Sequence, residues 1–327
     1  MRGKKGSVGM ELYNFMEMPD NNKTYGGNAG LKKGIVWNDE NWLLKFPKNT
    51  LIYKIEGVVS YTTNALSEYI GSKIYESIGI KTHKTQLGIY GNKVVVACKD
   101  FLSEKEILKE YSSIKNIYVD GLEERLIHTS QSSSLIDLDE IIIVMNENPV
   151  FKHVPELKEH FWNMFIVDAL IGNNDRNNGN WGIIQNVETN DMEIAPVYDN
   201  GNAFYNKATS QKIKNILSDD YKFIQSVYES RICIFSQNDK TINPLKFIER
   251  AENSECSEAL LRIVPNINLV RIKEIIDEIP TEYKGVEIIN NYQREFYYKA
   301  VEYIYNKVLI PTYEQIVTWK NLQSQNR

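Results

Sequence analysis

The sequence predicts an α+β chain, with a small strand-rich first part and a larger helical remainder. Three observations carry this reading. Strand and hairpin signals crowd the first third of the chain, and helical periodicity dominates the other two thirds. The 327 residues are also too many for one small core and enough for two lobes. The boundary is expected near Phe101–Ser103, giving one lobe over residues 1–102 and another over 103–327.

The start, "MRGKKGSVGMELY", is basic and has no apolar stretch behind it, so it is expected to be a tail and not a signal peptide. "TYGGNAGLKKG" (24–34) is a loop whose Gly26, Gly27 and Gly30 allow close approach of backbone N–H groups to a ligand. A merely flexible loop explains it equally well. "GIVWNDENWLLKF" (34–46) reads as two strands around a polar turn at residues 38–41. "NALSEYIGSKIYESIGI" (64–80) places Leu66, Ile70, Ile74 and Ile78 on one helical face. "KTQLGIYGNKVVVACKDF" (84–101) reads as a hairpin turning at Gly91-Asn92.

"EKEILKEYSSI" (104–114) and "SLIDLDEIIIVMN" (134–146) are helix candidates, although the Ile run of the second also suits a strand. "VPELKEHFWNMFIVDALIGN" (154–173) has an apolar stripe of Leu157, Phe161, Phe165 and Ala169, and Gly172 suits its end. "WGIIQNVETNDMEIAPVYDNGNAF" (181–204) reads as a hairpin that runs out at Asp199-Asn200-Gly201. Beyond Pro244 the segments 244–263, 268–278 and 290–309 all carry helical patterns.

The chemistry concentrates at "LIGNNDRNNGNWGI" (170–183). An Asp-x4-Asn spacing in a polar loop is, by itself, a turn former. Here Asp175 and Asn180 precede a hairpin and Asp199 follows it, so the hairpin returns Asp199 toward Asn180. A carboxylate and an amide carbonyl are hard oxygen ligands that suit Mg²⁺. Asp175 is then a separate carboxylate, free to orient or deprotonate a hydroxyl. Asp-x4-Asn, a strand pair and Asp-x-Gly form the arrangement of kinase-type phosphoryl transfer.

The first part holds suitable partners. Lys45 sits within the apolar strand "WLLKFP", where an ammonium needs an anion such as a phosphate. An edge-strand lysine with its head in water is the plain alternative. Glu68, on the following helix, is the expected partner of Lys45, although alone it reads as a solvated helix residue. "VVVACKDF" (94–101) leads out of the sheet, and backbone groups around Ala97 and Cys98 are expected to meet adenine there. Cys98 itself reads as a small buried apolar residue. Asp168 is expected to support the loop, and Arg176 pairs with either a phosphate or a carboxylate.

With "LIGNNDRNNGNWGI", "IAPVYDNG", "WLLKFP", "LSEY" and "VVVACKDF" in place, the chain resembles the HipA-like Ser/Thr kinases, and among them the short CtkA-type kinases. The resemblance implies a bilobal protein-kinase-like fold with a small β-rich N-lobe and a larger helical C-lobe, using ATP and Mg²⁺. It implies that Asp175 is the catalytic base, that Asn180 and Asp199 are catalytic metal ligands, and that Lys45, supported by Glu68, is the ATP lysine. It also implies a protein substrate with a Ser or Thr acceptor, a toxin or effector role, and an antitoxin as a partner. Asn177 stands where the family often has His, and the glycine loop has Thr24 and Tyr25 but no Ser. The family's switching by autophosphorylation of a loop Ser is therefore absent or moved. Too few residues precede the loop for the extra N-terminal subdomain of many HipA toxins.

Composition narrows the rest. A net charge of −5 argues against broad nucleic-acid binding. The three Cys and four His show no disulfide framework and no metal-ligand spacing, which favours a cytoplasmic, reducing setting, with secretion or host-cell entry left open. No apolar run has the length of a membrane helix. Two other readings keep the same parts: a small-molecule phosphotransferase, and a non-catalytic pseudokinase that binds a partner.

Overall fold

The polar turn at Asn38-Asp39 sets the first hairpin. Both residues take left-handed backbone angles, φ 52° and 58°, whose twist matches that of paired strands. The computed structural model describes residues 10–23, 25, 31–50, 58–115 and 135–325. Strand β1 spans Tyr13–Asn14, β2 Lys32–Trp37, β3 Glu40–Lys45, β4 Thr85–Tyr90 and β5 Lys93–Lys99. They form one sheet in the order β1-β4-β5-β3-β2, with β5 in the middle. Gly91, at φ 60°, turns β4 into β5.

Alternation divides the sheet between two cores. Phe15, Ile35, Trp42, Leu44, Val95 and Ala97 make a small cluster on one face. On the other face Leu87, Ile89, Val96 and Cys98 join a cluster that includes Leu66, Ile70 and Ile74 of the helix Asn64–Ser77. That cluster continues without a break into the helical part. The two parts are also tied by Tyr75, whose hydroxyl donates to Asp168 Oδ1 at 2.8 Å, and by Ser67, which donates to the Ala203 carbonyl at 2.8 Å.

The helix Glu156–Ile171 is the axis of the second part. Its buried residues include Phe161, Trp162, Met164, Ile166 and Leu170, which lie all around it and not along one stripe, as befits a central helix. Gly172 ends it at φ 70°. Helices Pro244–Arg250, Ser254–Ile263, Leu269–Asp277 and Asn291–Ile304 form where the pattern predicts helix; the first, second and fourth pack on it, and Leu269–Asp277 packs on Asn64–Ser77 and Asn291–Ile304. Helices Ser210–Leu217, Asp220–Ile224 and Ile310–Gln325 add to the expected set. The Ile-rich segment is helical over Leu138–Glu147, where Asp137 caps the N–H groups of Asp139 and Glu140.

One helix expectation is overturned. Within "EKEILKEYSSI", Glu106–Glu110 is strand β6, and only Tyr111–Ile114 coils. After β7 (Ile136–Asp137), strands β8 (Gly182–Asn186) and β9 (Met192–Ile194) form the expected hairpin, and β6 pairs antiparallel with β8 from Glu106↔Asn186 to Glu110↔Gly182. A ready edge on β8 outweighs the helix preference of Glu, Lys and Leu. The approach is close: a Cβ at Gly182 would lie 2.1 Å from the Lys109 carbonyl oxygen. The structure therefore has the bilobal α+β form, with a three-stranded sheet β6-β8-β9 whose hairpin β8-β9 directly follows the polar loop in the chain.

Candidate active site

Lys45 leaves β3 on the face opposite Trp42 and Leu44, so its chain runs toward the helix Asn64–Ser77. Its Nζ lies 2.9 Å from Glu68 Oε2 and 3.0 Å from Asp199 Oδ1. Burial disfavours the ammonium, but the charges of Asp199 and Glu68 outweigh this and hold its pKa well above the ordinary lysine value. Glu68 is itself buried. Its Oε1 faces His83 Nε2 at 2.9 Å and accepts the Asn200 N–H at 3.1 Å. Burial raises its pKa, yet Lys45 and the His83 hydrogen bond pull it far below the usual carboxylate range. Cys98 completes a buried trio with Glu68 and His83. Both carboxylate oxygens of Glu68 are already engaged, and burial pushes the Cys98 thiol far up, so the trio acts as a fixed polar core.

The polar loop is organised by Arg176. Its guanidinium forks onto Asp168, with Nε 2.7 Å from Oδ2 and Nη2 3.0 Å from Oδ1. Nη1 donates to the carbonyls of Asn180 at 2.9 Å and Tyr198 at 2.5 Å, and Nη2 donates to Asn200 Oδ1 at 2.7 Å. One buried side chain thus fastens the Asp175–Asn180 loop to the Asp199 segment. Of the two partners left open for Arg176, the structure supplies the carboxylate, and Asp168 does support the loop.

Asp175 Oδ1 accepts from Asn177 Nδ2 at 3.1 Å, and Oδ2 accepts from Asn202 Nδ2 at 2.7 Å. Burial raises its pKa, the Asn177 hydrogen bond lowers it, and the charge of Asp199 raises it again, for a net upward shift. Asn180 lies beneath the loop. Its Nδ2 donates to the Asp175 carbonyl at 2.7 Å, which leaves its Oδ1 as the atom available to a cation. Asp199 holds a left-handed φ of 60°, and its Oδ2 makes no hydrogen bond among the described residues. In donor chemistry both oxygens suit Mg²⁺, which prefers hard donors and retains water, but Asn180, unlike Asp175 and Asp199, does not line the cleft.

Lys32, Lys45, Lys48, Glu68, Asp175 and Asp199 line one cleft of about 350 Å³. That is the size range of small-ligand sites. Four lysines face it when Lys207 is included, a setting suited to a polyphosphate. Gly26, Gly27 and Gly30 lie outside the described residues.

The adenine contact at Ala97 and Cys98 is not supported. Both sit inside central strand β5, paired with Leu44 and Leu43 on one side and with Gln86 and Thr85 on the other. Their backbone groups belong to the ladder and cannot serve a ligand. The chain leaves the ladder only after Lys99, at Asp100–Ser103, where the Phe101 ring lies 5.9 Å from that of Tyr198. Sequence reading also misses His83, Lys32, Lys48 and Asn202, which stand in no recognisable spacing to the motifs.

Among known proteins, the serine/threonine-protein kinase CtkA of Helicobacter pylori is 35% identical over 259 residues, 79% of this chain and 76% of the relative. No family model matches the chain. The crystal structure of the H. pylori proinflammatory kinase CtkA superposes with a TM-score of 0.82 at 29% identity, covering 94% of this chain and 99% of that one. HipA from a Shewanella oneidensis toxin–antitoxin complex with HipB and operator DNA superposes with a TM-score of 0.51 at 12% identity, covering 89% and 68%. That second likeness is one of fold.

Proposed function

As the chain belongs to the family of the serine/threonine-protein kinase CtkA, we propose that it transfers the γ-phosphoryl group of ATP, with Mg²⁺, to a Ser or Thr hydroxyl of a protein. Membership makes it a protein Ser/Thr kinase with a HipA-like fold. The cofactors and the residue roles are our assignment. The observation that carries it is the meeting of Lys45, Glu68, Asp199 and Asp175 on one cleft.

Lys45 holds the α- and β-phosphates, and Glu68 fixes its reach. Lys32 and Lys48 add positive potential along the phosphate path. Asn180 and Asp199 hold Mg²⁺, which when bound neutralises charge on the phosphate oxygens. Asp175 orients the acceptor hydroxyl and takes its proton. The acceptor oxygen forms a bond to the γ-phosphorus as the bond to the β–γ bridging oxygen breaks, and ADP leaves. Positioning and fixed charge supply most of the rate, because the transition state is loose. We assign phosphate binding to the glycine stretch Gly26, Gly27 and Gly30, and adenine contact to Asp100–Ser103, at the junction of lobes 1–102 and 103–327.

The setting we propose is cytoplasmic. Among the described residues no helix is long and apolar enough to cross a membrane. A toxin or effector role and an antitoxin partner rest on the HipA-like fold alone. The test is purified protein with γ-labelled ATP and Mg²⁺, with and without cell lysate, beside the Asp175→Asn variant. Label on lysate proteins with the wild type alone is the expected result. Label equally strong with D175N overturns the role of Asp175. No label on any protein, with ATP still bound, overturns this chemistry.

A further inference from the structure

A second cavity, of about 200 Å³, opens beside the cleft and shares Asn174, Asn202, Asn206 and Lys207 with it. Lys212, Arg231 and Tyr205, which do not line the cleft, also line this cavity. Arg231 is 7% exposed, and no carboxylate pairs with it among the described residues. Its Nε donates to the Val227 carbonyl at 3.2 Å, and its guanidinium lies 5.4 Å from the centre of the Tyr205 ring. The Nη atoms make no hydrogen bond among the described residues. Nη1 fills the space above Gly172, where a Cβ would lie 2.0 Å from it. A buried guanidinium without an anion is costly. Lys207 and Lys212 are exposed, and neither is paired with a carboxylate among the described residues. This gathering of unneutralised cations stands out in a chain whose net charge is −5.

We propose that this cavity binds an anionic side chain, a carboxylate or a phosphorylated residue, that flanks the acceptor hydroxyl of the polypeptide substrate. The proposal rests on the kinase reading for its substrate class. Three points select the ligand. The cavity is little more than half the cleft's volume, which suits a side chain and not a nucleotide. The free Nη fork of Arg231 matches the geometry of a carboxylate or phosphate. Asn202 lines the cavity and also donates to Asp175 Oδ2, so the cavity lies one side chain away from the group proposed to hold the acceptor hydroxyl, within reach of a residue that flanks it. Lys207 spans both spaces, and its charge acts on Asp175.

The test uses the full chain with labelled Ser peptides that differ at one flanking position: phosphoserine, Glu, Gln or Lys. Binding is measured by fluorescence anisotropy, and transfer is measured separately with γ-labelled ATP. At least one anionic peptide is expected to bind about tenfold more tightly than its Gln counterpart, the gain of a charge-assisted hydrogen bond. Arg231→Gln and Lys212→Glu should each erase most of that gain. Lys212 is exposed, so K212E keeps the test sound if R231Q fails to fold. A preference for phosphoserine over Glu identifies primed substrates, and parity identifies acidic ones. Equal binding of the anionic and Gln peptides at every position overturns the proposal, as does a preference that K212E leaves intact. Anion preference without any transfer supports this site and counts against the kinase chemistry instead.

Discussion

His83 Nε2 stands 2.9 Å from Glu68 Oε1, while Oε2 of the same carboxylate stands 2.9 Å from Lys45 Nζ. The imidazole therefore holds the carboxylate that holds the lysine. His83→Ala leaves Oε1 with the Asn200 N–H as its remaining donor. A hydrogen bond to a buried charge is worth about 1.5–3 kcal/mol. KM for ATP should rise roughly tenfold or more in H83A. H83Q, which offers an N–H donor, should recover part of the loss. Steady-state kinetics on both variants decides the matter. An unchanged KM for ATP in H83A would make His83 a packing group only.

Arg176 carries a different burden. It touches Asp168, Asn180, Tyr198 and Asn200, and it is 3% exposed. Arg176→Met strands the buried Asp168 carboxylate, which retains the Tyr75 hydroxyl and the Asn173 amide. Breaking a buried pair this way costs about 3–5 kcal/mol. Chemical denaturation should show that loss, together with a loss of activity. Arg176→Lys keeps the charge but not the fork, so it should fall between. A wild-type unfolding midpoint for R176M would remove Arg176 from its place as the clamp.

These two residues mark the limit of what the sequence makes legible. Lys45, Asp175, Asn180 and Asp199 sit in local patterns: a cation in an apolar strand, and polar residues at fixed spacing around a hairpin. His83 lies in no pattern, because its meaning comes from a contact across the fold with Glu68. The same holds for Arg231, an ordinary cation until burial and the lack of a carboxylate partner among the described residues single it out. Strand β6 is hidden because its composition favours a helix and only the edge of β8 decides otherwise. Ala97 and Cys98 mislead for a related reason. Where β5 leaves the ladder depends on its neighbours, not on its own residues.

Asp175 should leave its mark on the pH profile. Burial lifts its pKa above the ordinary aspartate value, and the charge of Asp199 adds to this against the Asn177 hydrogen bond. As a base it works only when ionised. Activity should therefore fall as pH drops through this raised pKa, earlier than for an exposed aspartate near about 3.9. The sign for stability is opposite. A raised folded-state pKa gives stability that is full below the unfolded value and is lost as pH rises through the folded value. The ionised form that catalyses is thus the form the fold favours less. Asp175→Asn should lower kcat by about 10²–10⁴ and remove the acid limb from the residual rate. An acid limb that persists unchanged in D175N would assign it to another group.

Asp199 offers the sharpest test of the metal assignment, because its backbone permits a clean substitution. Asp199 sits at φ 60°, in the left-handed region, where Asn is tolerated as well as Asp. Asp199→Asn therefore keeps the loop conformation and an oxygen for Lys45, and removes only the negative charge. Chelation of divalent ions should abolish transfer by the wild type. In D199N the Mg²⁺ concentration for half-maximal rate should rise about tenfold or more, since a neutral amide is a weaker ligand for a hard dication than a carboxylate. Binding of Mn²⁺ in the presence of ATP, followed by electron paramagnetic resonance, should weaken in parallel. Nucleotide binding without metal should change less, because Lys45 keeps Glu68. If Mn²⁺ binding were untouched while metal-free ATP binding collapsed, Asp199 would be a partner of Lys45 and not a metal ligand.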